Sequence, residues 1–121
     1  MKRFLIGCIG MIAAASAHAQ TPEDFVLNDA EDLLELCTAG ADSAVAREAI
    51  HFCHGFISGT YRYHQALAPK FGRVVCPPEG VTRNDGVRIF TEFLQANPQH
   101  RSGSPTEVLM ESWTAEYPCR P

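Results

Sequence analysis

Cys53-His54-Gly55-Phe56-Ile57-Ser58-Gly59 is the stretch whose reading decides the fold. It combines a cysteine, bulky apolar residues and two glycines four positions apart. In a helix, residues four apart lie on one face. Gly55 and Gly59 then form a bare strip that a neighbouring helix of the same chain, or a second copy, can approach closely. A glycine in a helix interior costs about 0.5–1 kcal/mol relative to alanine, so a pair of them predicts tight helix packing. Cys53, a turn or less before them, is placed to tie that approach covalently. The stretch reads as the centre of the middle helix in a small disulfide-stapled bundle.

The same helical period extends in both directions. Ala46, Ala49/Ile50, Cys53, Phe56/Ile57, Thr60 and Leu67 keep it over about six turns. Asp42 or Ser43 offers a cap at its start, and Ala68-Pro69 is a stop signal. Upstream, Asn28 with Glu31 resembles a capping box. Ala30, Leu33, Leu34 and Cys37 follow as one apolar stripe, and Gly40 closes that first helix. Downstream, Lys70–Gly80 reads as a loop with a short extended piece at Val74-Val75. Thr82 caps a third helix, with Asp85 at its third position and Val87, Phe90, Phe93 and Leu94 inward. Asn97-Pro98 ends it. Ser104-Pro105-Thr106-Glu107 starts a fourth helix through a cap, a first-position proline and an acidic third residue. That helix carries Leu109, Met110 and Trp113 inward, and Pro118 closes it. No strand-like alternation of useful length appears. The predicted fold class is all-α, a four-helix bundle.

The first nineteen residues stand outside that bundle. Lys2 and Arg3 precede an apolar run from Phe4 to Ala15, and Ala17-His18-Ala19 forms a small-residue cleavage site. This is the layout of a secretory signal peptide (residues 1–19), cleaved before Gln20. The run is shorter than the roughly 20 residues a membrane span needs, so no membrane anchor is expected. Leu5-Ile6-Gly7-Cys8 resembles a lipidation box, but Cys8 lies too near the start and most of the apolar run follows it. The remaining residues 20–121 suffice for one domain.

Losing Lys2 and Arg3 takes the formal charge from −4 to −6. Its distribution is uneven. Residues 20–48 hold eight acids and one base, Arg47, whereas residues 61–103 hold six bases and three acids. An acidic chain with no dense basic stripe argues against nucleic-acid binding. Setting Cys8 aside leaves Cys37, Cys53, Cys76 and Cys119, an even number in a small exported chain, which implies two disulfides. Cys37 ends the first helix and Cys53 lies in the second, so antiparallel neighbours bring them together. Cys76 precedes the third helix and Cys119 follows the fourth, so a hairpin sets those ends side by side. The predicted bridges are Cys37–Cys53 and Cys76–Cys119.

Four segments resemble the Tai/Rap family of type VI secretion amidase immunity proteins. They are Leu33-Leu34-Glu35-Leu36-Cys37, Cys53-x-Gly55-Phe56-Ile57-x-Gly59, Cys76-x-Pro78-x-Gly80-Val81-Thr82, and Pro118-Cys119. They run in the family's order across the chain after the leader. The resemblance implies a small periplasmic all-α domain that binds a secreted peptidoglycan amidase and blocks its cleft, commonly as a dimer. The chain departs from the family in its arginine- and histidine-rich middle and its long 66–80 segment. A small periplasmic helical stress or acid chaperone with no dedicated effector is the competing expectation.

Chemistry of its own is not expected. His51 and His54 share a helix face, with His64 further on, but no carboxylate or free thiol completes a zinc set. A bridged Cys53 supplies no thiolate for nucleophilic catalysis. Neither a metal, nor a cofactor, nor a catalytic residue is assigned. For partner contacts the sequence nominates Arg73, His100 and Arg101 in the loops 68–80 and 97–103, with Tyr61 and Tyr63 as aromatic anchors. Gly55 and Gly59 are assigned to helix packing.

Overall fold

The computed structural model describes residues 22–121. The leader and its cleavage site lie outside the described residues. Four α-helices carry the fold: α1 Ala30–Cys37, α2 Ala46–Phe71, α3 Arg83–Ala96 and α4 Pro105–Glu116. Short 3-10 turns at Pro22–Val26 and Pro98–His100 precede α1 and join α3 to α4. No strand occurs among the described residues. The extended piece expected at Val74-Val75 appears as a single antiparallel bridge from Val75 to Pro118.

The helix starts follow local chemistry with some shifts. At α3, Thr82 and Asp85 form the full reciprocal capping box, satisfying two of the N–H groups a helix start leaves open. At α1 the cap lies one residue later than expected. The Asp29 carboxylate accepts from the Asp32 amide at 3.1 Å, and Asp32 reaches back to the Asn28 amide at 2.7 Å. Two expected caps are absent. Helix α2 begins at Ala46 behind Val45 with no side-chain cap, and Ser43 lies in the preceding turns, its amide donating to the Gly40 carbonyl. Ser104 precedes α4 without a side-chain cap bond.

Pro69 does not stop α2. Its fixed φ suits a helix, and in the last turn the missing N–H deprives only the Gln65 carbonyl of a donor. The helix continues to Phe71 and ends at Gly72, whose φ of 88° takes the chain out and whose amide donates to the Ala68 carbonyl. The following loop is therefore Gly72–Thr82, set two residues later than the Lys70–Gly80 loop expected.

The core joins all four helices. Leu33, Leu36, Cys53, Phe90, Leu94 and Leu109 are fully buried. Ile89 and Val108, absent from the predicted stripes, are buried too, whereas Val87, Phe93 and Met110 pack partly buried against the cluster. Both predicted disulfides are present, Cys37–Cys53 between α1 and α2 and Cys76–Cys119 between the Gly72–Thr82 loop and the chain end.

The glycine strip corrects the opening expectation. Gly55 and Gly59 face outward, and a Cβ built on either meets nothing within 4 Å. They seat no neighbouring helix among the described residues. The close approach occurs instead at Gly86 in α3, where a Cβ would lie 3.4 Å from both Ile57 Cγ2 and Trp113 Cζ2. Spacing placed the two glycines on one face correctly, but the bulky stripe of Cys53 and Ile57 turned inward and carried that face to the surface.

Candidate functional site

A groove of about 440 Å³ opens where four segments meet. That volume lies in the range of small-ligand and peptide side-chain pockets. Helix α2 supplies Ile57, Ser58, Tyr61, Arg62 and Gln65, positions that repeat every three to four residues and so form one face. The Gly72–Thr82 loop forms the opposite wall with Pro77, Pro78 and Glu79. Arg83 and Gly86 from the start of α3 and Trp113 and Tyr117 from the end of α4 close it.

Covalent and hydrogen-bonded ties hold the loop wall in place. The Cys76–Cys119 bridge anchors it to the chain end, and the Cys76 amide donates to the Tyr117 carbonyl at 2.9 Å. Trp113, 4 % exposed, is the floor. Its indole N–H donates to the Gly86 carbonyl at 3.1 Å, and its ring meets Tyr61 edge-on at 6.1 Å. Buried aromatic N–H groups need such a partner, and the absent side chain at Gly86 lets the indole come that close.

Arg62 and Arg83 are the basic residues lining the groove, against one acid, Glu79. Among the described residues, Arg62, Lys70, Arg73, Arg83 and Arg120 have no carboxylate within ion-pair distance. All five lie on α2's second half, the Gly72–Thr82 loop, the start of α3 or the residue after Cys119. Arg62 donates only to the Gln65 side chain, at 3.2 Å. Partial burial and the nearby positive charges of Arg83 and His51 hold the His54 imidazole below its usual value. The Thr82 hydroxyl and amide hold the Asp85 carboxyl below its usual range.

The nominated contact residues separate into two groups. Tyr61 lines the groove, Arg73 is exposed with no charged partner, and Tyr63 is 68 % exposed on α2. His100 and Arg101 are instead tied into the fold. His100 Nδ1 lies 3.0 Å from the Glu111 carboxylate and its ring packs edge-on against Phe93. Arg101 pairs with Glu31 at 3.2 Å, while its carbonyl accepts from the Glu31 amide at 2.9 Å. The Gly103 carbonyl accepts from the Ala30 amide at 2.8 Å. The 97–103 loop is thus latched to the start of α1.

Sequence reasoning missed Arg62, Arg83, Gly86 and the groove itself. Ser58, Arg62 and Gln65 share a face with Tyr61, and that spacing was the available signal. Of the weighed histidines, His51 is exposed and His54 half-buried, and all four cysteines of the described residues are bridged.

The fold and groove define a small, disulfide-stapled helical domain with an open aromatic-floored groove at its surface. The family model of the Rap1a immunity proteins matches residues 29–119. The chain belongs to that family, which agrees with the Tai/Rap resemblance of its motifs. Membership implies a non-enzymatic inhibitor that binds a secreted effector. No curated protein and no solved structure matches the chain.

Proposed function

We propose that this protein is a periplasmic immunity protein that neutralises a type VI secretion peptidoglycan amidase by covering its active-site cleft. The family match across residues 29–119, spanning all four helices and both disulfides, carries the reading. Two disulfides suit an oxidising compartment such as the periplasm, and the leader-like first nineteen residues supply the route there. No described helix is long and apolar enough to cross a membrane.

Covering a cleft requires surface that keeps its shape on contact, because ordering a loop during binding subtracts from affinity. The two loops nominated for this role are both pre-ordered, one by Cys76–Cys119 and one by the ties of His100 and Arg101. Tyr61 in the groove, Arg73 in the loop beside it and Tyr63 on the outer face of α2 are the contact residues. In the 97–103 loop, His100 and Arg101 hold the exposed Pro98, Gln99 and Ser102 toward a partner. Periplasmic co-expression with the amidase encoded beside its gene tests the reading. Cells carrying both proteins survive and cells carrying the amidase alone lyse. Equal lysis with and without this protein contradicts the proposal.

A further inference from the structure

We infer that the groove between α2 and the Gly72–Thr82 loop receives an acidic peptide segment of the partner, with one bulky apolar side chain seated over Trp113. The segment's source, the effector, rests on the proposed function. The chemistry of the groove does not.

Three observations lead there. The floor is apolar and aromatic, with Ile57, Val75 and Trp113 almost fully buried and Tyr61 and Tyr117 partly open beside them. The rim carries two arginines, Arg62 and Arg83, that have no carboxylate partner among the described residues, against one lining acid, Glu79. Phe71 and Val74, exposed large apolar side chains, stand where α2 passes into the loop that walls the groove. Unpaired arginines beside a hydrophobic floor match a carboxylate-bearing chain with an apolar anchor, since guanidinium groups grip carboxylates in a fork geometry. Arginine and aromatic groups are also the side chains that dominate interface energetics.

Charge placement selects this occupant over others. The chain is acidic overall, so a nucleic acid meets net repulsion. A lipid surface is met by a convex amphipathic face, whereas this floor lies inside a groove. An acidic segment is drawn to the one end where bases outnumber acids and is repelled by the acidic α1 side.

Trp113 is the only tryptophan in the chain, so its emission reports the groove directly. The probe is a blocked pentapeptide with a central leucine between two acidic residues on each side. A control peptide carries lysines in place of the acids. The acidic peptide is expected to shift Trp113 emission saturably and to bind at least about tenfold more tightly than the lysine peptide. Binding weakens as salt is raised. Arg62→Glu and Arg83→Glu, both at exposed positions, each abolish the shift with unchanged thermal unfolding, while Arg47→Glu, far along α2, leaves it intact. Equal responses to both peptides, no saturable response, or a response only to phosphatidylglycerol vesicles overturns the inference. Purified effector is titrated in parallel. If it binds the parent and Arg62→Glu proteins equally, the groove assignment fails while the immunity reading stands. If the acidic peptide binds but cells are not protected from the amidase, the immunity reading fails and the groove assignment stands.

Discussion

The two surface loops differ in where their side chains go. The 97–103 loop turns His100 and Arg101 inward onto Glu111 and Glu31, and it ties the α3–α4 corner to the start of α1. The Gly72–Thr82 loop is held at its middle, through Cys76 and the Val75–Pro118 bridge, and leaves Arg73 without a charged partner among the described residues. Both contain basic residues in irregular, exposed chain. Only the second leaves that charge available. A charged side chain in a loop counts as a contact candidate only once its partners inside the fold are known.

Removing the anchor of the second loop gives the largest expected effect. Cys76→Ala with Cys119→Ala releases a crosslink between residues 43 apart. By chain entropy this costs about 4 kcal/mol, read in denaturant unfolding. The groove wall goes with it, so Trp113 stops reporting the acidic peptide even under conditions where the helices remain folded. Retention of the peptide response in that variant breaks the link between the bridge and the groove.

Arg101→Ala sharpens the contrast from the other side. It removes the pairing with a half-exposed Glu31 and costs about 1 kcal/mol in the same unfolding assay. Peptide binding in the groove stays at the parent level. A large loss of peptide binding with no change in stability places Arg101 among the binding residues and contradicts its role as a latch.

Gly55→Ala and Gly59→Ala each remove a helix-interior glycine with open space around it, so each stabilises the protein by about 0.5–1 kcal/mol. Destabilisation that depends on protein concentration reverses this expectation and points to a second copy on the strip. Gly86→Leu goes the other way. A side chain wedged between Ile57 and Trp113 costs about 1–3 kcal/mol by overpacking.

The smallest effect is a pH dependence at His54. Its folded-state value lies below the usual imidazole value, so the unfolded chain binds the proton more readily. Its contribution to stability is therefore present above about pH 6.5 and is lost as pH falls from there through the folded-state value. His54→Gln flattens that part of the stability profile. An unchanged profile assigns the acid sensitivity to another group.

The helices and both bridges were legible in the chain because each rests on signals within a turn or two. Apolar period and capping pairs placed α1 to α4, and those helix ends brought the cysteines together. The outcome at Gly55 and Gly59 was not legible, since period shows which residues share a face but not which face the bulkier stripe turns outward. Arg101 misled for a related reason. Its partner Glu31 is 70 residues away, and only the closed bundle brings them within 3.2 Å. The groove was the least visible feature, because α2, a loop, α3 and α4 each contribute side chains that converge only after folding.

Hydrogen–deuterium exchange with and without the effector tests the central claim, that binding lies at the groove end, most directly. Amides of residues 73–83 are expected to exchange more slowly in the complex. A complex in which residues 73–83 exchange as in the free protein, while the acidic α1 face slows, contradicts it.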